Sequence, residues 1–171
     1  MRSELVKRNE RAKSRPLLYG EVRPGGLFRF ANFGHPPPLV FSAEFRRFMN
    51  IDEDLMMQFL ALGLQIPSDH PDRKKYYSLA SRQKEFSSSD IAEITLMSPG
   101  DILVLYTDGV FDGSDEQARR RLEAVLQEHY RNSARDICNA LLDYAVRQDE
   151  QLRETAPDLI DDKTVFIIKR T

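Results

Sequence analysis

Residues 102–107, Ile102-Leu103-Val104-Leu105-Tyr106-Thr107, constrain this chain more than any other stretch. The run is too short to span a membrane and has no polar alternation, so it reads as a strand buried on both faces. The turn Ser98-Pro99-Gly100-Asp101 feeds it, and it ends on a carboxylate, Asp108, beside Gly109, with Asp112 four positions on. A buried strand fixes its last residue in space, and the glycine lets backbone or ligand come close. An anionic side chain held in this way suits a hard cation such as Mg²⁺ or Mn²⁺. An Asp-Gly pair after a strand also has a plain reading as a turn, with Asp bonded to nearby backbone. A second acidic boundary adds to the first. Asp161-Asp162-Lys163-Thr164 leads into the apolar run 165–168. Two core strands with carboxylates at their boundaries suggest one shared metal site.

The remaining pattern places these strands. Runs 17–23 and 27–32 flank Pro24-Gly25-Gly26, a hairpin signal that predicts antiparallel pairing. The second run enters Gly34-His35-Pro36-Pro37-Pro38, which is extended because proline excludes helix there. Short strands are expected at 39–41, 45–49 and 93–97, with a polar surface loop at 66–75 and a connector at Gly63-Leu64. Ala118, Leu122, Val125, Leu126 and His129 recur at helical spacing. Ser133, with Asp136 three residues on, opens a second helix with buried face Ile137, Ala140, Leu141, Tyr144 and Ala145. Both stripes read as surfaces packed on a sheet. Strands before and after a helix pair predict an α+β fold.

Composition narrows the function. The chain has 171 residues, 41% hydrophobic and 30% charged, which fits one compact domain. A net charge of −2 argues against a nucleic-acid or anionic-membrane surface. Its single cysteine, Cys138, forms no intrachain disulfide and fits a reducing cytoplasm. The charged first residues are not a signal peptide, and no stretch reaches the length of a membrane helix. His35, His70 and His129 have no zinc-helix spacing, and no Gly-x-Ser-x-Gly elbow supplies an acyl-transfer nucleophile.

Residues 98–110 resemble the late metal motif of the metal-dependent (type 2C) protein phosphatases. The resemblance is to the bacterial branch typified by stage II sporulation protein E and the stress-response sigma-factor phosphatases. Residues 31–40 are similar to that branch's alanine-glycine-histidine-proline-proline loop, with Phe33 where alanine is usual. Residues 161–168 resemble its closing aspartate-aspartate-x-threonine strand. The three matches fall in family order and cover residues 17–170. The resemblance implies an α+β sandwich of two mainly antiparallel β-sheets flanked by helices. It implies hydrolysis of phosphoserine or phosphothreonine on a regulatory protein, such as an anti-sigma-factor antagonist, by water activated between two Mn²⁺ or Mg²⁺ ions. Asp108 and Asp161 match the family's metal ligands, and no catalytic side chain is needed beyond the metal-bound water. Gly109, Asp112 and Asp162 occupy neighbouring motif positions, as further ligands or as their support. Gly34 and His35 mark the signature loop, where a structural role ranks above a chemical one. Asp101 belongs to the turn and is expected to be structural.

One departure bears on activity. The family's bridging ligand comes from an early Gly-Asp motif, and the only Gly-Asp here is Gly100-Asp101. The domain is therefore expected to be incomplete at its N-terminus, with 1–15 a polar helix or remnant and 16–171 the C-terminal part. A chain lacking the bridge is expected to be nearly inactive, as a fragment or as a non-catalytic relative that binds a partner. A haloacid-dehalogenase-like phosphatase is the other rival, since residues 106–114 resemble its Asp-x-Asp-Gly-Val motif. That chemistry needs an aspartate nucleophile where Tyr106 stands. In the metal-dependent reading, Asp108 and Asp161 are expected to converge within about 10 Å.

Overall fold

The computed structural model describes residues 15–51, 58–59, 61–62, 91–96, 98–111, 115–153 and 160–171. Among them lie β1 (Leu17–Arg23), β2 (Leu27–Phe33), β3 (Leu39–Ser42), β4 (Arg47–Phe48), β5 (Gln58–Phe59), β6 (Ala92–Thr95), β7 (Ile102–Tyr106), α1 (Glu116–His129), α2 (Ala134–Leu152) and β8 (Val165–Lys169). Asp112, His70, the Gly63-Leu64 connector, the loop 66–75 and the expected N-terminal helix before residue 15 lie outside the described residues. The chain forms two compact units. One draws on residues up to Glu21, Arg29–His35 and Glu53–Glu93; the other on Val22–Phe28, Pro36–Asp52 and Ile94–Thr171.

One sheet runs β1-β2-β5, with β6 also on β2. β1 and β2 are joined through residues 24–26, a link so short that it makes the pair antiparallel. Gly26 N donates to Arg23 O at 3.2 Å, and Gly25 and Gly26 take φ of +87° and +86°, which an L side chain resists. Phe28 and Phe30 are buried on β2. β5 runs parallel to β2, Asn32 opposite Gln58.

The other sheet, β4-β3-β7-β8, is antiparallel throughout. β7 is a central strand, with Leu103 between Val40 on β3 and Ile168 on β8. The core of this unit joins Phe41, Ile102 and Val104 from the sheet to Leu122, Leu126 and Ile137 from the helices. Each such side chain contributes about 1.5–3 kcal/mol by leaving water. Both helices start where a side chain caps their free amides. Asp115 accepts from Gln117 N at 2.8 Å, and Ser133 Oγ accepts from Asp136 N at 3.2 Å while donating to Asp136 Oδ2 at 2.7 Å. At the other end of α1, Lys169 Nζ from β8 donates to Tyr130 O at 2.8 Å and Asn132 O at 2.7 Å. A cation thereby meets the negative end of the helix.

The α+β class with mainly antiparallel sheets is borne out. The strand expected at 45–49 is shorter, because Arg46 N bonds Ser42 O at 2.8 Å and Arg46 takes φ +52°. That turn removes Phe45 from the ladder and leaves it 58% exposed. Asp101 is structural, as expected. It is buried, with Oδ1 accepting from Ala43 N at 2.9 Å and Oδ2 from Ser98 N at 2.8 Å.

Candidate functional site

Antiparallel pairing of β7 with β8 ends at Tyr106 opposite Val165, so the next residues of both strands share one corner. Thr107 closes it. Its N–H donates to Thr164 O at 3.1 Å, its Oγ1 donates to Asp162 O at 3.1 Å, and the same Oγ1 accepts from Thr164 N at 2.9 Å. The strand ends therefore stay pinned after the ladder stops. Asp108 follows β7; Asp161 and Asp162 precede β8. All three are exposed.

Gly109 is required here by contact. A Cβ on it would run into Asp162 O and sit 3.0 Å from Asp161 O and 3.1 Å from Asp161 C, all backbone atoms that cannot swing away. Gly109→Ala is accordingly expected to cost about 1–3 kcal/mol, read as a lower denaturation midpoint. A variant as stable as wild type would show that the corner is loose.

Each carboxylate is partly tethered. Gly109 N donates to Asp108 Oδ1 at 3.1 Å, and Asp162 N to Asp161 Oδ1 at 2.8 Å. These bonds tether one oxygen of each carboxylate to adjacent backbone. Lys163, between the acids and β8, donates to Asp161 O at 3.1 Å and pairs with Asp149 of α2 at 2.6 Å. Among the described residues no group of three or more His, Cys, Asp or Glu side chains could hold a metal. The carboxylates of Asp108 and Asp161 are exposed hard donors that follow β7 and precede β8. A pair of ions around one water calls for a bridging carboxylate, and no described residue supplies it.

The other sequence-singled residues are placed as follows. Gly34 and His35 lie in the first unit, the Asp108 corner in the second. Their loop is locked by Asn32, buried at 1% exposure, which donates from Nδ2 to His35 O and accepts from His35 N, both at 2.8 Å. Gly34 takes φ +69°, and a Cβ there would meet Ala61 N at 2.9 Å. Sequence reasoning missed Asn32, although an Asn three positions before a backbone N–H is the ordinary signal of an Asx-type turn. It also missed the Asp149–Lys163 pair, for which no local signal exists. Cys138 is held against β8, Sγ to Val165 O at 3.4 Å, and burial pushes its thiol up, away from the reactive thiolate.

Residues 2–171 match the family model described as stage II sporulation protein E (SpoIIE). No curated protein matches significantly. Among solved structures, the Mn-presoaked phosphatase domain of the cell fate determinant SpoIIE from Bacillus subtilis is similar. It is 15% identical with a TM-score of 0.51, and the match covers 91% of this chain and 56% of that one. The PP2C phosphatase domain of the same determinant with a fragment of its regulatory domain gives a TM-score of 0.55 at 14% identity, covering 94% and 40%. The RsbU and RsbW domains of Rv1364c from Mycobacterium tuberculosis give 0.50 at 18% identity, covering 97% and 39%. The chain thus spans about half or less of the solved chains it matches. At these identities the likeness is one of fold, that of PP2C phosphatase domains. Among the described residues no helix is long and apolar enough to cross a membrane.

Proposed function

The chain belongs to the stage II sporulation protein E family, and on that premise we propose that it takes part in metal-dependent hydrolysis of phosphoserine or phosphothreonine. The substrate is a phosphorylated regulatory protein of the anti-sigma-factor-antagonist kind, in the cytoplasm. One observation supports this reading: Thr107 bonds Asp162 O and Gly109 lies against the backbone of Asp161 and Asp162, on either side of Asp108 in sequence.

Held by Asp108 and Asp161, a Mn²⁺ or Mg²⁺ ion would supply Lewis-acid chemistry for phosphate-ester hydrolysis. The chain's own residues have separate tasks. Asp108 and Asp161 contribute the charge that attracts the cation. Thr107 keeps the two strand ends at fixed spacing, and Gly109 leaves room for their backbones to approach. Asp162, with Asp112, supports these two. The Gly34-His35 loop has a structural task, held by Asn32. Two carboxylates hold an ion loosely, so turnover by the 171-residue chain by itself is expected to be slow.

Among the described residues no three acids form a group that could hold a metal, which favours a second reading, a phosphatase-like module that binds its phosphoprotein without turnover. Phosphate release from a phosphoserine protein, followed with Mn²⁺ and with the metal chelated, separates the two. Release that needs Mn²⁺ supports the hydrolase. Tight binding of the phosphoprotein without release supports the module. Release that continues after chelation removes metal chemistry from the corner.

A further inference from the structure

We propose that the arginine–aromatic surface formed by Phe45, Arg46 and Arg47 with Tyr130 and Arg131 docks an acidic segment of a partner protein. The surface lies wholly within the second unit and does not depend on a metal. Its three arginines face rings instead of acids. The Arg46 guanidinium is 5.8 Å from the Tyr130 ring centroid, Arg131 is 5.4 Å from the same ring, and Arg47 is 5.8 Å from that of Phe45. Among the described residues none of the three pairs with a carboxylate. Glu128 of α1 is turned to His129 Nε2, at 3.9 Å. The arginines and Phe45 are exposed. A guanidinium laid on a ring has given up part of its rotamer freedom before a partner arrives, so less ordering entropy is lost on binding.

Backbone strain points to the same place. Among the described residues the positive-φ positions are glycines, except Arg46 at +52°. An L residue resists that conformation and keeps it where its surroundings over-determine it. They do so here. Arg46 N donates to Ser42 O at 2.8 Å, Phe45 N to Ser42 Oγ at 3.3 Å, and Gln127 Nε2 of α1 to Arg46 O at 2.8 Å. Tyr130 is anchored in turn, its ring 6.0 Å from that of buried Phe41. A plain turn is better served by glycine at position 46; arginine accepts the strain and places a cation.

The occupant follows from charge and shape. Arginines without acids call for carboxylates, which they meet in paired N–H···O bonds. The Phe45 ring, 58% exposed beside them, adds an aromatic anchor of the kind that carries binding energy in protein interfaces. Nucleic acid fits worse, because the chain carries a net charge of −2 and three arginines make a spot, not a phosphate track.

The test is fluorescence anisotropy of a labelled glutamate-rich peptide with interspersed leucines, titrated with the whole chain in the absence of metal. The same peptide with Gln for Glu is the control, and amide NMR shifts locate the contact. Wild type is expected to bind the acidic peptide, to shift the amides of 44–47 and 129–131, and to ignore the control. Arg46→Gln/Arg47→Gln is expected to lose at least ~10-fold in affinity, and Phe45→Ser a similar factor with every charge kept. Arg46→Gly separates docking from folding. Glycine relieves the strain at φ +52°, so the melting temperature is expected to stay level or rise while binding weakens. The proposal is overturned if wild type binds neither peptide or both equally, or if any of these variants, once shown to melt cooperatively, binds like wild type. Tighter binding of single-stranded DNA or of phosphatidylserine vesicles than of the peptide overturns it too. So does self-association that the double variant abolishes, since the occupant is then a second copy.

Discussion

Asp108→Asn is expected to lower Mn²⁺-dependent phosphate release by more than ~100-fold while shifting the melting temperature by no more than ~2 °C. The lower bound follows from comparison. Losing a group that merely orients a metal ligand costs about 10–100-fold, and losing the charged ligand itself costs more. Stability is spared because the side chain is exposed and its bond from Gly109 N to Oδ1 at 3.1 Å can be kept by the amide oxygen. What the amide lacks is charge. Asp161→Asn should behave alike, keeping the bond from Asp162 N. Measuring release, Mn²⁺ affinity and melting on the same samples separates ligation from folding. Full release by Asp108→Asn would take this residue out of the chemistry.

Asp101→Ala is expected to act in the opposite way, costing about 3–5 kcal/mol of stability. Asp101 is 4% exposed, and each carboxylate oxygen accepts a backbone N–H, Ala43 at 2.9 Å and Ser98 at 2.8 Å. A hydrogen bond to a charged group contributes about 1.5–3 kcal/mol, and alanine removes two while leaving their donors without the acceptor. The main chain of the same residue receives Arg170 N at 2.9 Å. Asp101 thus joins the turn after β3, the turn before β7 and the end of β8. Urea denaturation should show a lower midpoint at unchanged slope. Asp101→Asn keeps one acceptor and is expected to lose about half as much. A loss below ~1 kcal/mol for the alanine variant would mean that water replaces both bonds.

Local chemistry was the legible part of this chain. The hairpin around Pro24-Gly25-Gly26 and the cap of α2 at Ser133 each depend on residues a few positions apart, and both stand where the pattern puts them. The helix stripes were equally legible: Leu122, Leu126, Ile137, Leu141 and Ala145 are all buried. β5 was not, because two residues carry no period and its parallel partner β2 is chosen by tertiary packing. At the site, carboxylates at strand boundaries could be read from residues 102–108 and 161–168. Which strands adjoin could not, and family resemblance supplied that link. The Asp149–Lys163 contact had no signal at all, since either residue alone looks like ordinary surface charge.

The bond from Thr107 Oγ1 to Asp162 O spans 55 positions in sequence, and both helices lie between its ends. Contacts within a helical hairpin form over short loops and come early, whereas closing a loop of that length is slow and depends on prior collapse. The acidic corner is therefore a late product of folding: Asp108 waits on its strand until β8 docks beside β7. During refolding, helical signal should return before Mn²⁺ affinity does. On the ribosome, α1 and α2 are translated before Asp161, so a partly made chain lacks the paired corner.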